Sequence, residues 1–403
     1  MNRRSFLQNL GIAALSSSTG AAVYASAAEP EETETAYLPI IRQRTGGSLS
    51  LLVAAADAPE VVKTVAHFQC DGVDDQVQIN QAIESLGAAG GLVQLSEGTF
   101  YCHDAVRLNS RITLFGKGPG TVLKAIGSWA AFDGSTPGGI IEPSHGGVER
   151  TLVALMTLHG NRYGDEANVK GVYYNITTKA EFEVGPDAAH TFRDLYIVLT
   201  KQHGFHIKGT FMRGSQISHV RVFGAGRDGE SEGHGFLVEC PDNFFSQCES
   251  GGSSGSGFYV GATNLHFASC KSWFSGLAGW QILRPRGQFA ACEAQDNVGH
   301  GFYIDTGPTS LVGCHADSNS WNEEAQTAVY DGFHIPWGRR IQLIGCSAYD
   351  KNESNRGNWQ RYGFYLGPGA EQCQVIGTAV DNAVGATGGE GATKAENLVI
   401  VAG

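Results

Sequence analysis

The segment Gly257-Phe258-Tyr259-Val260-Gly261-Ala262-Thr263-Asn264-Leu265-His266-Phe267-Ala268-Ser269-Cys270-Lys271-Ser272-Trp273 decides the fold, because its pattern returns one period later. Cysteines stand at Cys248, Cys270, Cys292 and Cys314, each 22 residues after the last, and Cys346 follows after a longer interval. A Gly-aromatic pair keeps step with them at Gly235-Phe236, Gly257-Phe258, Gly279-Trp280, Gly301-Phe302, Gly332-Phe333 and Gly363-Phe364. After each aromatic come one variable residue and one aliphatic, as in Tyr259-Val260, Gln281-Ile282 and Tyr303-Ile304. That alternation predicts a short strand with one buried face. A fixed period of this length marks a solenoid, whose units cannot bury their apolar face alone. Short strands, Gly/Asn-rich turns and no helical periodicity predict an all-β chain, a single-stranded parallel β-helix.

Equivalent residues of stacked coils lie about 4.8 Å apart. The cysteines are therefore expected to form an inward ladder of free thiols, acting as small buried hydrophobes. Missing CxxC and nearby His spacing speaks against a zinc site there. Read backward, the ladder passes through Val220, Leu195 and Leu155, paired with Gly235-Phe236, Gly204-Phe205 and Gly171-Val172; read forward, it reaches Thr378. The result is about nine coils or more, roughly 43 Å of stack. Asn297 and Asn319 are assigned to a corner, where Asn tolerates the left-handed backbone a sharp bend needs.

The 403 residues include 55 glycines, only 17% are charged, and the net charge is −12. With no basic stripe to meet phosphates, nucleic acid is excluded as a partner. The start, Asn2-Arg3-Arg4-Ser5-Phe6-Leu7 followed by an apolar run and by Ala25-Ser26-Ala27, resembles a twin-arginine signal. Residues 1–28 are expected to be that signal peptide, directing export to the periplasm, the cell surface or the medium. Later apolar runs are too short to span a bilayer. Residues 29–53 are expected to be a weakly ordered lead-in and residues 381–403 a tail or cap outside the repeat.

Between these, Asp71-Gly72-Val73-Asp74-Asp75 precedes Val77, Ile79, Ala82 and Ile83, an amphipathic helix with acidic residues at its positive end. Gly90-Gly91 stops it, and strands follow at Leu92–Leu95, Gly98–Tyr101, Arg111–Gly116 and Gly118–Leu123. The run DGVDDQVQINQAIESLGAAGGLVQLSEGTFYC…RITLFGKGPGTVLKA resembles the opening of pectate-lyase-like right-handed β-helix proteins. That resemblance covers residues 54–126 and implies a helix capping the first coils, with the solenoid proper over 127–380. It speaks for fold and says little about activity, since such openings serve lyases, hydrolases, epimerases and phage tailspikes.

Loop lengths point to a site. From each ladder residue to the following glycine the count is 9 after Cys248, Cys270 and Cys292, but 15 after Val220, 18 after Cys314 and 17 after Cys346. Three short-looped coils between longer neighbours describe a groove about 15 Å wide. Two outward rows border it. The first carries Arg221, Glu249, Lys271, Glu293 and His315: either alternating charges paired across strands, or Glu249 and Glu293 as catalytic carboxylates with Lys271 between them. The second carries His206, Leu237, Tyr259, Gln281, Tyr303, His334 and Tyr365, preceded across each glycine by His203, His234, Ser256, Ala278, His300, Asp331 and Tyr362. Its Tyr and His rings are expected to stack on sugars, with Trp273, Trp321 and Trp337 as loop platforms. His300 and Asp331 complete the catalytic candidates, a His or Tyr removing the proton alpha to a uronate carboxylate. Substrate contacts are assigned to Tyr259, Tyr303, His334, Trp273 and Trp321, and calcium is the cation expected if one is needed. Gly233-His234-Gly235 and Gly299-His300-Gly301 resemble the GHG of polygalacturonases without its companion motifs, and the Asp-Pro-His-Glu pattern of alginate epimerases is missing. The expectation is an exported lyase or hydrolase acting on an acidic polysaccharide, as a monomer or homotrimer. The competing expectation is a non-catalytic glycan-binding or structural β-helix.

Overall fold

Each 22-residue period folds into one coil of three short strands. Phe258–Val260, His266–Ala268 and Lys271–Trp273 make one coil; Trp280–Ile282, Gln288–Ala290 and Glu293–Gln295 make the next. They pair in parallel with equal positions opposed, Tyr259 on Gln281, Phe267 on Phe289 and Lys271 on Glu293. The computed structural model describes residues 49–163, 167–179, 189–226, 233–321, 328–350 and 359–403, and Ser50–Gly403 form one unit. The proposed signal peptide, most of the lead-in and the tips of the three long groove-bordering connections lie outside the described residues. No described helix is long and apolar enough to cross a membrane.

One sheet holds eleven strands, which gives eleven coils, in keeping with the nine or more expected. The other two strands of every coil belong to one continuous sheet of twenty strands, folded along a corner into a first and a second face. The corner is a file of left-handed residues immediately before the ladder position: Leu155, Asp194, His219, Gln247, Ser269, Ala291, Gly313 and Gly345, with φ between 50° and 64°. This corrects the assignment of Leu155. Leu155 occupies the corner, and Met156, opposite Leu195, fills the core. Thr378 is corrected likewise. A bulge beside Cys346 sets Gly377 opposite that cysteine, and Thr378 pairs with Ser347 and is exposed.

A second left-handed file runs through Gly252, Phe274, Asp296 and Ser318. Asn297 and Asn319 are thus one residue past the bend, fully buried and turned inward. Asn297 Nδ2 donates to Asn319 Oδ1 (2.8 Å), Asn319 Nδ2 donates to Gln360 Oε1 (3.0 Å), and Gln360 Nε2 donates to Asn382 Oδ1 (2.8 Å). An interior amide ladder satisfies backbone that the corner leaves unpaired. The ladder also presses on the glycines of the coils it passes through, while Gly235 and Gly257 are pressed instead by the Ser250 and Ser272 hydroxyls. A Cβ at Gly279 or Gly301 would stand 2.7 Å from an amide nitrogen of Asn297 or Asn319.

The rest of the interior is filled by three files of side chains. Phe236, Phe258, Trp280, Phe302, Phe333 and Phe364 stack ring on ring from the eleven-stranded sheet, with centroids 4.0–5.8 Å apart. Phe245, Phe267 and Phe289 stack from the first face and meet that file edge-on. The five ladder cysteines come from the second face, and all nine cysteines are buried and free.

At the start, Gln76–Ser85 forms the expected helix, burying Ile79, Ala82 and Ile83 over the first coil. Asp75 works differently from a dipole partner: its buried carboxylate accepts N–H bonds from Gly72 (2.9 Å) and Tyr101 (2.8 Å), tying the turn to the next strand. Ser50–Ala54 is already a strand of the first coil, so the lead-in ends before residue 53. The tail keeps the repeat as well. Gly385–Gly388 and Leu398–Ala402 add one more strand to each sheet.

Candidate active-site face

The outer surface of the eleven-stranded sheet carries three chemical positions per coil: the residue before the glycine, the residue after the aromatic, and the residue two further on. In the middle coils these are bland, Ser256, Tyr259 and Gly261, then Ala278, Gln281 and Leu283. Titratable groups gather at the two ends.

At the N-terminal end Tyr173, His206 and Leu237 are opposed in successive coils, as are Asn175, Lys208 and Glu239 over the same span. Asp133, from a preceding loop, accepts from Tyr173 Oη (2.7 Å) and Asn175 Nδ2 (2.6 Å), with Lys208 Nζ at 4.0 Å. Burial opposes ionisation of Asp133, but those hydrogen bonds outweigh it and hold the carboxyl far below its usual range. Lys170 Nζ lies 4.4 Å from the Tyr173 ring centre and donates to the Pro137 carbonyl; Lys208 Nζ is 5.3 Å from the same ring. Burial, then the Lys208 charge, pushes the Lys170 ammonium down to about 8. Nearby, burial lifts Glu142 to about 7.

Three histidines complete this end. His203 and His234 are stacked at 5.3 Å, and His203 meets His206 edge-on at 5.4 Å. His203 Nδ1 accepts the His234 N–H, and His234 Nδ1 accepts the Ser256 N–H, both at 3.0 Å. Both rings therefore carry their proton on Nε2. Burial pushes His203 to about 2 and His234 to about 4, so they stay neutral in use. His206 Nε2 bonds Glu239 Oε2 at 2.9 Å. That bond holds the Glu239 carboxyl below its usual range. Neutral histidines, two lysines, a buried phenol and an ionised carboxylate on adjacent strands form the kind of perturbed cluster that chemistry requires.

At the far end the structure brings together His300, Tyr303, Asp331 and His334. Asp331 is fully buried; its Oδ2 is 2.6 Å from His334 Nδ1, and Arg361 grips both its oxygens at 2.8 Å. Burial works against its charge, yet the bonds from His334 and Arg361 keep it below the normal carboxylate range. His300 Nδ1 accepts the Asp331 N–H (2.9 Å), and burial lowers His300 to about 3. His300, Asp331 and His334 are the one set of three potential His, Cys, Asp or Glu ligands within 4.8 Å among the described residues. It does not fit calcium, which takes six to eight oxygens. Nor does it suit a transition metal. The two rings stack at 4.0 Å, so their lone pairs run side by side, and the carboxylate is committed to Arg361.

The ring row corrects the stacking expectation. Tyr303, His334 and Tyr365 lie on one another with planes within 13°. Both faces of His334 and the inner face of each Tyr are covered by their neighbours, so the row turns its ring edges outward. Tyr259 leans on His234 at 4.9 Å.

On the second face, Arg221, Glu249, Lys271, Glu293 and His315 are in register. Lys271 Nζ donates to Glu293 (3.0 Å) and Gln295 (2.6 Å), while Glu249 accepts from Trp273 Nε1 (2.8 Å) and faces Arg221 at 3.7 Å. Paired charges across strands describe this row. Trp321 is buried against Phe274, whereas Trp337 is exposed.

Lys170, Tyr173, Lys208, Glu239 and Asp133 were not singled out from the sequence. Four of them sit at the positions just named: carrying the repeat register back to Gly171 finds Lys170 before the glycine and Tyr173 two after it, and reading three residues past Phe205 and Phe236 finds Lys208 and Glu239. Asp133 comes from a loop and carries no such signal.

No family model and no curated protein matches the sequence. Solved structures do resemble it. The A-module of a mannuronan C-5 epimerase from Azotobacter vinelandii superposes with a TM-score of 0.61 at 18% identity, over 82% of this chain and 96% of that one. The enzymatically active domain of tailspike protein 2 from bacteriophage CBA120 gives 0.55 at 14%, over 68% and 40%. A DFA-IIIase of Arthrobacter chlorophenolicus A6, solved with DFA-III, gives 0.56 at 10%, over 83% and 86%. At such identities the likeness speaks for fold. With the register, the corner files and the capping helix, it identifies the fold of this chain as a right-handed parallel β-helix.

Proposed function

We propose that the chain is an exported enzyme acting on a uronate-containing polysaccharide, and that its first step removes the proton alpha to the uronate carboxylate. One observation carries this reading. In a chain of net charge −12, Lys170 and Lys208 converge on the buried Tyr173 beside Glu239 and three histidines on the outer side of one sheet. Proton removal next to a carboxylate is feasible only if cations take up the charge that develops on the carboxylate oxygens. Lys208 and Lys170 supply them. Lys208 and Glu239 are direct neighbours on adjacent strands, so a carboxylate held by Lys208 sets the alpha proton toward Glu239. His206 positions that base.

From the resulting enediolate two outcomes follow. If the electron pair expels the O4-linked sugar, Nε2–H of His203 or His234 protonates the departing oxygen, and a 4,5-unsaturated end results. If a proton returns from the opposite face, the sugar is epimerised and the chain stays whole. Hydrolysis is less well supported, because it needs two available carboxylates, and Glu249 and Glu293 are engaged with Trp273, Arg221 and Lys271. The A. vinelandii epimerase module acts on a polymer of this class, which supports the reading.

A panel of uronate polymers, incubated in deuterium oxide and followed at 235 nm and by proton NMR, tests it. Either deuterium at C5 of an intact chain or an unsaturated product absorbing at 235 nm is expected from the wild type. Glu239→Gln should lose at least about 100-fold and Lys208→Ala about 100-fold in turnover. New reducing ends without deuterium or unsaturation would establish hydrolysis instead, and glycan binding with no product would make the chain a binding module.

A further inference from the structure

The far end of the same sheet lies five coils from Lys208, about 24 Å along the axis, and is built differently. Tyr303, His334 and Tyr365 stack with centroids 5.6 and 4.7 Å apart and planes 13° and 3° from parallel. Stacked rings show their edges, so this row offers Tyr303 Oη, His334 Nε2 and Tyr365 Oη at about the rise of one coil. None of these three atoms has a hydrogen-bond partner among the described residues. The histidine is held in one tautomer. The ionised Asp331 accepts from Nδ1 at 2.6 Å, and Asp331 is itself fixed by Arg361 at 2.8 Å and by the Tyr362 N–H at 3.2 Å. Nε2 is left as an acceptor between two hydroxyls that both donate and accept.

Charge decides what the row can take. Asp331 and Arg361 cancel, His300 is neutral, and the exposed Asp305 carboxylate borders the row. Nothing here favours an anion, in contrast to the lysine end. We infer that Tyr303, His334 and Tyr365 form a distal subsite that binds sugar hydroxyls of a glycan lying along the sheet, recognising ring hydroxyls rather than carboxylates. Asp331 and Arg361 are positioning residues for it, and the nominated catalytic role of His300 and Asp331 gives way to this one. The subsite presumes the glycan reading above and adds to it a minimum chain length and a chemical preference at the far end.

Binding without turnover separates the two ideas. Full-length protein is titrated calorimetrically with a uronate trimer, a uronate octamer and a carboxyl-reduced octamer made from alginate and from polygalacturonate. In the wild type the octamer should bind more tightly than the trimer. The double variant Tyr303→Phe, Tyr365→Phe keeps the ring stack and should lower the octamer-to-trimer affinity ratio about 10- to 30-fold, two hydrogen bonds' worth. His334→Phe should lower it about fivefold, and exposed Thr378→Ala on another face should not change it. The carboxyl-reduced octamer should show the same sensitivity to the Tyr→Phe pair. An unchanged ratio in the double variant, or no length dependence in the wild type, overturns the distal subsite, and turnover seen alongside leaves the uronate reading standing. A ratio that falls in a chain giving no product supports the subsite and overturns that reading.

Discussion

A lysine ammonium buried against a phenol ring and a carbonyl gives up its proton more easily than one in water. Lys170 is placed so, with Lys208 adding repulsion, and it titrates near 8. Its charge is present below that pH and lost above it, so kcat/KM on a uronate polymer should fall above about pH 8. In Lys170→Arg, whose guanidinium stays charged, the alkaline limb should move up by at least about one unit; an unmoved limb would remove Lys170 from the carboxylate clamp. This residue was passed over in the sequence. Lys170 holds the position before Gly171 that the histidines hold before later glycines, but the outward row was read only from the Gly204 coil onward, and Lys208, three residues past its aromatic, lies at a position that row did not include. Ring orientation was equally hidden: a row of Tyr and His reads as exposed faces, and only the stacking distances show the rings lying on one another with edges outward.

The coil itself was the most legible element. A period of 22 with fixed cysteine and Gly-aromatic positions forces three strands and in-register stacking, since any slip would bring polar residues inside. Corner phase was less legible. Leu155 and Met156 are both apolar, and what separates them is that the bend needs a left-handed residue just before the inward one, a conformation that here falls on Leu, Asp, His, Gln, Ser, Ala or Gly alike. Asn297 and Asn319 were placed at the bend for the same reason, whereas their carboxamides line the core. Asn319→Ala should therefore lower stability by about 3 kcal/mol, because the Asn297 amide N–H and the amides of Asn297 and Gln360 lose partners where water cannot enter. Urea unfolding of the variant checks this; a loss under about 0.5 kcal/mol would mean the interior amides are dispensable. The Asn297→Ala, Asn319→Ala pair should lose less than the sum of the singles, as neighbours in one ladder do.

Across the whole molecule, buried histidines set the response to acid. His159, His190, His203, His234 and His300 are all pushed down by burial, to about 4, 3, 2, 4 and 3. An unfolded chain protonates them near 6.5, so the stability they contribute is present above 6.5 and lost as pH falls below it. Glu142 and Asp350, lifted by burial to about 7 and 6, act in the opposite sense. Unfolding thus takes up about three protons net near pH 5.5, and stability should fall by roughly 4 kcal/mol per pH unit there. A melting temperature that is flat from pH 6.5 to 5 would contradict it. Fold and site also separate at this scale. The stacked interior dictates a β-helix, whereas the function depends on which outward positions carry Lys, His and Glu, and packing does not constrain those. The most direct measurement is the structure of a Glu239→Gln variant with a uronate octamer. The chain is expected along the eleven-stranded sheet, with one carboxylate in hydrogen-bond contact with Lys170 or Lys208 and hydroxyls on Tyr303, His334 and Tyr365. An octamer lying instead over Glu249, Lys271 and Glu293 on the second face would contradict it.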